Sequence, residues 1–244
     1  PQKVMWLNET HFRTRGIRDK TNVRFHTNLP SMFHVKKYGD ALDIIAAEKN
    51  IDVSYRTDLV KVDKDKRIAT FKHLDTNQVT TKPYDVLHVV PYMSPPEVIK
   101  KSPLANKDGF VDVDKYTLQS TKFPNVFALG DSSNLPTSKT AAAIASEAPV
   151  LVSNLIHTMK GENLTAKFDG YTACPIFTGD GKLMLCEFGY DLVVNETFPW
   201  DQSKPGYLAY YMKKDVFPPV YWNAFVKGIW YGKDTFFRPS SAQQ

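Results

Sequence analysis

Residues 125–143, NVFALGDSSNLPTSKTAAA, decide the fold that we expect for this chain. The apolar run 126–129 is typical of a strand buried in a parallel sheet. Gly130 and Asp131 end this run, and a loop and an alanine-rich helix follow. The order strand, glycine, acid, loop and helix indicates an α/β fold with a ligand at the carboxyl end of the sheet. There the Asp131 carboxylate can bind the hydroxyls of a sugar or ribityl chain.

The start of the helix suits a ligand that carries negative charge. Thr137 or Ser138 can cap this helix, which we expect to open at Lys139 and Thr140. A helix N-terminus favours negative charge, and Gly130 lets a ligand approach the backbone closely. Lys139 can add a positive charge at the ligand, or it can simply face solvent. An ordinary capped strand–turn–helix unit without a ligand fits the same spacing.

Composition narrows the class of protein. The chain has 244 residues, enough for one or two domains, and a net charge of +5. This modest charge is compatible with an anionic membrane surface, and we expect no nucleic-acid partner. The two cysteines, Cys174 and Cys186, imply no disulfide framework, and we expect reduced thiols rather than a single bridge. No apolar run reaches the ~18 residues typical of a transmembrane helix, and the histidines lack metal-ligand spacing, so we expect no metal.

The first 84 residues predict a small nucleotide-binding-type domain. Its expected elements are a helix, a strand, a helix, a strand and a charged-tip hairpin, at 1–15, 22–29, 37–50, 51–55, and 59–62 with 68–71. We expect Val4, Leu7 and His11 to lie on one side of the first helix, which Gly16 ends. The domain contains no glycine-rich turn, so we predict no nicotinamide site in it.

The remaining chain predicts strands, a rigid loop, a long helix and a second hairpin. In chain order these are a buried strand, the loop PYMSPP, two strands, the helix and the hairpin, at 85–90, 91–96, 110–113, 125–129, 138–159, and 174–177 with 183–188. Pro149 is expected to kink the long helix, because a proline in a helix interior costs about 3 kcal/mol.

Aromatic residues crowd the chain after Asp201, and Pro218 and Pro219 are expected to split this region into two segments. In the second segment, six apolar residues share one helical face, with lysines beside it: Tyr221, Trp222, Phe225, Val226, Ile229 and Trp230. Such a face suits a helix lying in a membrane interface. A helix that packs in a core, or a dimer contact, would show the same pattern. The aromatic and basic residues continue through Tyr231, Lys233, Phe236, Phe237 and Arg238.

Several motifs resemble known flavoproteins. FPNVFALGD looks like the second flavin-binding motif of two-dinucleotide-domain flavoproteins. GD-x-x-NLPTSKTAAA, with MSPPEV before it and GYTACP and ETFPWDQSK after it, resembles the mitochondrial-type sulfide:quinone oxidoreductases. The resemblance runs from PQKVMWLNE to about Arg238. The G-x-G-x-x-G turn that holds a dinucleotide pyrophosphate is absent, so the resemblance implies the carboxyl-terminal part of a longer enzyme whose amino-terminal part carries that turn.

The resemblance implies a fold, a domain order, cofactors and partners. The fold would be α/β, of the FAD/NAD(P)-binding two-dinucleotide-domain type, with an NAD(P)-binding-like domain over 1–84, a return to the FAD domain over 85–168, and a quinone and membrane-contact region over 169–244. FAD would contact Gly130, Asp131, Lys139, Thr140 and, in the PYMSPP loop, Ser94. Quinone would contact Phe177, Phe198 and Trp200. Such enzymes oxidise sulfide, pass sulfur to a small acceptor, and lie peripherally on the mitochondrial inner membrane.

One position departs from the family pattern. Two cysteines flank the flavin in these enzymes and pass sulfur between them; the first would lie outside this chain, and the second directly follows the Gly-Asp pair. Here that position is Ser132. A serine hydroxyl is far less acidic than a thiol and forms no persulfide, so we expect an impaired sulfur relay, whether the change is natural or engineered. Cys174 and Cys186 are expected to be structural.

Two other functions fit parts of the sequence. A flavin reductase related to NADH:quinone oxidoreductases would need a nicotinamide-binding turn within residues 22–56, which we do not find. A non-catalytic, membrane-associated paralogue or scaffold is favoured by Ser132 and by the absent dinucleotide turn. The retained Gly-Asp pair and the NLPTSKTAAA segment oppose it.

Overall fold

A computed structural model describes residues 2–230, and they divide into two compact units. The first unit contains the chain up to Pro91, with Ile176–Met184 and Ser203–Tyr210. The second contains Tyr92–Pro175, Leu185–Gln202 and residues 211–230. The domain limits expected at residues 84 and 168 remain predictions.

The first unit begins with the predicted alternation of helices and strands. The elements are α1, β1, α2 and β2, at Gln2–Thr14, Arg24–His26, Lys36–Glu48 and Asp52–Ser54. β1 and β2 are parallel, with Arg24 opposite Asp52, as expected for a strand–helix–strand unit. After α1, Gly16 adopts φ +65°, a left-handed conformation that glycine reaches without strain.

The buried side of α1 is not the side that carries Val4, Leu7 and His11. Met5, Trp6 and Glu9 are buried, whereas Leu7 is 50% exposed and His11 is exposed. Both sets have helical spacing, but the large Trp6 side chain removes more apolar area from water. Glu9 can be buried next to Trp6 because three basic side chains lie beside its carboxylate.

A three-stranded antiparallel sheet follows β2 in the first unit. Its strands are β3, β4 and β5, at Thr57–Asp63, Ile68–His73 and Val79–Pro83, in the order β3-β4-β5. The hairpin of β3 and β4 confirms the prediction. β5 is not predictable from its sequence, because Val79–Pro83 is mostly polar and exposed and lacks the alternation of a half-buried strand.

The buried strand expected at 85–90 is not formed. These described residues have neither helical nor strand structure, and Val86 is 81% exposed. The apolar composition fits a strand, but no strand of the described chain hydrogen-bonds to it. A strand needs a neighbour to receive its backbone hydrogen bonds.

The strands expected at 110–113 and 125–129 in the second unit are also absent as extended strands. Val111, Val113 and Phe127 form isolated bridges instead, and Phe127 bridges Gln119 in antiparallel rather than parallel sense. Their apolar character still places them in or beside a buried cluster, which comprises Val111, Val113, Leu118, Ala128, Leu135, Phe168, Tyr171 and Tyr190. Val111, Val113 and Ala128 are buried, whereas Phe127 is only half-buried, so the predicted burial is confirmed in part and the predicted strand pairing is wrong.

Two helices and a hairpin follow. The short helix α3 spans Glu97–Lys100, and α4 spans Ala141–Lys160 and continues through Pro149. The predicted second hairpin is confirmed, with β6 at Thr172–Gly179 and β7 at Lys182–Phe188. Asp180 and Gly181 both have positive φ, 55° and 68°, as a two-residue type I′ turn requires.

The aromatic region is helical from 207 to 225. It comprises α5 (Tyr207–Tyr211), α6 (Phe217–Val220) and a π-helical turn after each, at Met212–Val216 and Tyr221–Phe225. The expected split at the prolines does not occur, because Pro218 and Pro219 lie in the first turn of α6, where a proline needs no hydrogen-bonded N–H. Tyr231, Lys233, Phe236, Phe237 and Arg238 lie outside the described residues. In the part of the chain described, no helix combines the length and apolarity needed to cross a membrane.

Candidate functional site

The turn between the apolar run and α4 is the centre of the candidate site. Leu129 is extended, and Gly130–Ser132 form one 3₁₀ turn. Gly130 has φ +60°, and a Cβ atom there would lie 3.1 Å from Ile144 Cδ1. The turn therefore requires glycine for its conformation and for its close packing against α4.

Glu147 holds this turn from the middle of α4. Its carboxylate accepts a hydrogen bond from the Gly130 N–H over 2.7 Å, and the residue is 1% exposed. Burial raises the pKa of this carboxyl group, against the opposing effect of the Gly130 hydrogen bond. The sequence analysis missed Glu147, although a lone acid in the apolar helix sequence AAAIASEAPVLV was a usable signal.

Lys139 also holds the turn. Its Nζ donates to the carbonyl oxygens of Ser133 (2.5 Å) and Gly130 (3.3 Å) and lies 4.6 Å from the centre of the Phe110 ring. Burial lowers the pKa of Lys139, while Asp131 and Glu147 act in the opposite direction. The alternative in which Lys139 faces solvent is therefore wrong, and its ammonium group is engaged by the turn itself.

Two side chains of the turn differ in what they offer a ligand. Asp131 is exposed, so its carboxylate is accessible to hydroxyl groups. The Ser132 hydroxyl donates to the Leu129 carbonyl over 2.8 Å. The site therefore presents one accessible carboxylate and, next to it, a hydroxyl that closes its own turn.

The helix cap lies later than predicted. Thr140 caps α4, because its Oγ1 accepts from the Ala143 N–H over 3.1 Å, and the helix begins at Ala141. The Thr137 hydroxyl instead donates to the Gly170 carbonyl over 2.8 Å. Of the three hydroxyl residues before α4, only Thr140 is placed to cap it. Lys139 and Thr140 thus precede the helix rather than open it.

Ser94 is not brought into this arrangement. Its hydroxyl donates weakly to the Pro95 carbonyl over 3.4 Å, and no hydrogen bond among the described residues joins it to the turn. The neighbouring Tyr92 and Met93 are 74% and 77% exposed. The PYMSPP loop therefore exposes apolar side chains.

The residues expected at a quinone form two separate aromatic contacts. Phe198 and Trp200 stack with ring centres 4.3 Å apart and planes 13° apart, in the second unit. Phe177, in the first unit, meets Tyr210 edge-on, with centres 5.6 Å apart. The stacked pair forms a flat aromatic surface on which Trp200 remains 37% exposed.

A buried acid fixes the segment that carries the stacked pair. Glu187 accepts hydrogen bonds from the Tyr171 hydroxyl, from the Thr197 hydroxyl (2.8 Å) and from the Thr197 N–H (2.9 Å).

Gln202 follows the stacked pair in the sequence. It is 1% exposed, and neither polar atom of its amide has a partner among the described residues. Buried amides are usually satisfied, so this one fits a bound polar ligand.

The two cysteines lie apart from the turn in the sequence, on the second hairpin. Cys174, in β6, is half-buried, and Cys186, in β7, is buried. Within residues 2–230, no three histidine, cysteine or acidic side chains are grouped as metal ligands.

Comparisons with curated proteins give three close relatives, each named mitochondrial sulfide:quinone oxidoreductase. The chain is 50% identical to the Dictyostelium discoideum protein over 240 residues, 48% to the Mus musculus protein over 233, and 47% to the Schizosaccharomyces pombe protein over 247. The matches cover 98%, 95% and 98% of this chain. They cover 53%, 52% and 54% of the relatives, so the chain spans about half their length. No family model matches the chain.

Solved structures support the α/β fold. A chain in the cryo-EM structure of the Tetrahymena thermophila mitochondrial ATP synthase matches with a TM-score of 0.76 and 25% identity, over 93% of this chain and 56% of that one. The structure of NDH2 from Plasmodium falciparum in complex with NADH matches with a TM-score of 0.52 over 91% of this chain and 64% of that one. At 11% identity the second match shows the fold alone.

Proposed function

This chain is a relative of the mitochondrial-type sulfide:quinone oxidoreductases over nearly all of its length, and we propose that it supplies the carboxyl-terminal part of such an enzyme. The observation that carries the proposal is the Gly130–Ser132 turn, which is held by Glu147 and Lys139 and exposes Asp131. A turn fixed in this way is suited to hold a ligand in a defined orientation.

The residues of the turn fit a flavin dinucleotide. Asp131 is an exposed carboxylate that can accept hydrogen bonds from ribityl hydroxyls, and Gly130 leaves the backbone uncovered. The N-terminus of α4, capped by Thr140, favours the negative charge of a reduced flavin. When bound, FAD would accept two electrons from sulfide oxidation and pass them on to quinone. The turn that binds the ADP pyrophosphate would lie in the amino-terminal part of the protein.

Ser132 determines whether the sulfur chemistry is complete. Its hydroxyl is bound to the Leu129 carbonyl, and serine can neither act as a thiolate nor carry a persulfide. We therefore infer that transfer of sulfur between two cysteines, and from there to a small acceptor, is impaired in this chain. Oxidation of sulfide at a single remaining cysteine would be slow.

The aromatic region would form the quinone and membrane end. The stacked Phe198 and Trp200 offer a flat surface to a quinone ring. The buried Gln202 amide, two residues further along, has no hydrogen-bond partner within residues 2–230. Trp222, Val226 and Ile229 are 65%, 51% and 49% exposed. Exposed aromatic and aliphatic side chains suit peripheral contact with a membrane, and for this family we propose the mitochondrial inner membrane.

The test follows flavin absorbance anaerobically as sulfide is added to the complete protein. We compare the unchanged protein with Ser132→Cys, and with Ser132→Ala as a matched control that adds no thiol. Bleaching by Ser132→Cys alone supports both the flavin site and the impaired relay. Bleaching by all three proteins to the same extent contradicts the impaired relay, and absence of bound flavin from all three contradicts the proposed enzyme.

A second candidate is a non-catalytic component of a mitochondrial assembly. It is favoured by Ser132 and by the likeness to a chain in the Tetrahymena mitochondrial ATP synthase structure, with a TM-score of 0.76. A scaffold of this kind would purify without stoichiometric flavin and would co-migrate with a large membrane complex. A flavin reductase that uses NADH remains the weaker alternative, because β1–α2–β2 has no glycine-rich turn.

A further inference from the structure

A cavity of about 300 Å³ lies in the first unit, where β1 and β2 end. His26 is the last residue of β1 and Ser54 the last of β2, and both line the cavity. The antiparallel sheet supplies further lining residues, among them Thr57, His73 and Lys82. In α/β proteins, ligands bind at the carboxyl ends of parallel strands, so the cavity occupies a favoured position.

The lining is rich in hydrogen-bond donors and contains one fixed positive charge. Hydroxyl groups come from Ser54, Tyr55, Thr57 and Thr80, and the ammonium group comes from Lys82. The Tyr55 and Thr57 hydroxyls already donate within the protein, to Asp43 and to the Ser54 carbonyl, which leaves those of Ser54 and Thr80. No aspartate or glutamate lines the cavity. Lys82 has no carboxylate within ion-pair distance in the part of the chain that the structure describes. Its charge is therefore available to a ligand.

His73 has a defined role because of its backbone contacts. Its Nδ1 lies 3.3 Å from the Asp75 N–H and 3.2 Å from the Thr76 N–H, and both of these groups donate to it. An Nδ1 that accepts hydrogen bonds leaves the proton of the neutral ring on Nε2. His73 is thus a hydrogen-bond donor through Nε2 without needing a positive charge.

The His26 ring is held in place by an aromatic contact and a side-chain contact. Its ring stacks on Phe71, with centres 3.8 Å apart and planes 13° apart. Its Nδ1 lies 3.5 Å from the Thr57 hydroxyl, which itself donates to the Ser54 carbonyl over 3.0 Å. The cavity wall is therefore preorganised, which reduces the entropy lost when a ligand binds.

We propose that this cavity binds the anionic group of a small molecule, a phosphate or a carboxylate, with Lys82 supplying the charge and His73 a hydrogen bond. A volume of about 300 Å³ is at the lower end of ligand cavities and suits a compact molecule. A dinucleotide is disfavoured, because the unit has no glycine-rich turn to cradle its pyrophosphate. The proposal does not depend on flavin or on sulfide chemistry.

The test titrates the full protein, with ¹³C-labelled histidine, separately with inorganic phosphate and with acetate at pH 7.5. The ring signals of His26 and His73 are followed by NMR, and sodium chloride at matched ionic strength corrects for screening. We expect a saturable shift of both signals with at least one of the two anions, which also identifies the preferred group. The absence of any shift beyond that caused by sodium chloride would overturn the proposal.

Three variants test whether Lys82 supplies the positive charge that binds the anion. Lys82→Gln should weaken binding at least tenfold, whereas Lys82→Arg, which keeps the charge, should retain most of it. Lys61→Gln removes an exposed charge from β3 that does not line the cavity, and should leave the affinity unchanged. Equal weakening by Lys61→Gln and Lys82→Gln would show a general charge effect and would contradict the site.

Discussion

The carboxylate of Glu147 and the backbone N–H of Gly130 are joined by a buried hydrogen bond of 2.7 Å. This bond ties the middle of α4 to the turn that carries Asp131 and Ser132. Because Glu147 is only 1% exposed, its hydrogen bond to Gly130 is shielded from water. The geometry of the candidate flavin site therefore depends on a residue that does not itself offer a group to the ligand.

Glu147→Ala should destabilise the protein by about 2–4 kcal/mol, because Gly130 loses a charge-assisted partner and a cavity forms. Glu147→Gln should cost less, since its amide oxygen can still accept the bond. Urea unfolding measures both. The matched control is Glu162→Gln, which changes an exposed acid just after α4 and should change stability by less than about 0.5 kcal/mol. Equal effects of Glu147→Ala and the control would contradict a structural role.

The same carboxyl group should make stability depend on pH. Burial raises the folded-state pKa of Glu147 above its unfolded value of about 4.3. An acid with a raised folded pKa stabilises fully below its unfolded pKa, and this contribution is lost as pH rises through the folded pKa. Unfolding free energy should therefore decrease with rising pH above about 4.3 in the unchanged protein, relative to Glu147→Gln. A constant difference between the two proteins across this range would exclude the effect.

Lys139→Met should also destabilise the Gly130–Ser132 turn. The ammonium group donates to the Ser133 and Gly130 carbonyls, and charged hydrogen bonds of this kind contribute about 1–3 kcal/mol. We expect a lower midpoint of urea unfolding and weaker flavin retention in the complete protein. Lys64→Met, in the exposed β3–β4 turn, is the matched control and should behave like the unchanged protein. Flavin loss without a change in stability would instead indicate direct contact between Lys139 and the cofactor.

Local patterns predicted the local parts of this fold. Leu42, Ile45, Ala46 and Lys49 have the spacing of one helical face in α2. Leu42 and Ala46 are buried, and Ile45 and Lys49 are half-buried. The stretch 178–182 between the two apolar runs predicted a hairpin, and within it Asp180 and Gly181 adopt the positive φ of a tight turn. In each case the residues that determine the structure are close together in sequence.

The failures concern partners that are distant in sequence. The apolar run 85–90 has the composition of a buried strand. A strand forms only beside another strand, however, and none of the described strands pairs with this run. The run 126–129 was expected to be a buried strand; only Ala128 is fully buried, and its neighbours, not its composition, decide its hydrogen bonds. Glu147 was missed for the same reason, because the helix sequence does not reveal which backbone group the acid meets.

The buried Glu9 should be a second point of sensitivity, in the first unit. Its carboxylate contacts Arg13 at 2.5 Å, Lys49 at 3.2 Å and Arg18 at 3.5 Å. Glu9→Ala removes the buried carboxylate that all three cations contact, while Arg13 and Lys49 keep the exposed Asp180 as a partner. We therefore expect a loss at the lower end of the about 3–5 kcal/mol typical of breaking a buried ion pair. Chemical unfolding measures the loss. Glu48→Ala, an exposed acid on α2, is the control, and a comparable loss in both variants would argue against a specific cluster.

His26 should titrate below the usual histidine range. Burial lowers its pKa, helped by Lys82 and Arg24 and opposed by Asp52. A histidine with a lowered folded pKa favours the neutral form, so its contribution to stability is complete above the unfolded value of about 6.5 and is lost as pH falls towards the folded pKa. The pKa of the His26 ring can be read from its NMR titration, with exposed His11 as the internal control.

Replacing His26 with Gln should remove that pH dependence. The unfolding free energy of the unchanged protein should fall relative to His26→Gln as pH decreases below about 6.5. Both proteins should be compared in the same buffer ions, because an anion bound beside Lys82 would itself raise the pKa of His26 by partly cancelling the lysine charge. A His26 pKa at or above about 6.5 in chloride buffer would show that the ring is hydrated, and that the stacking on Phe71 does not shield it from water.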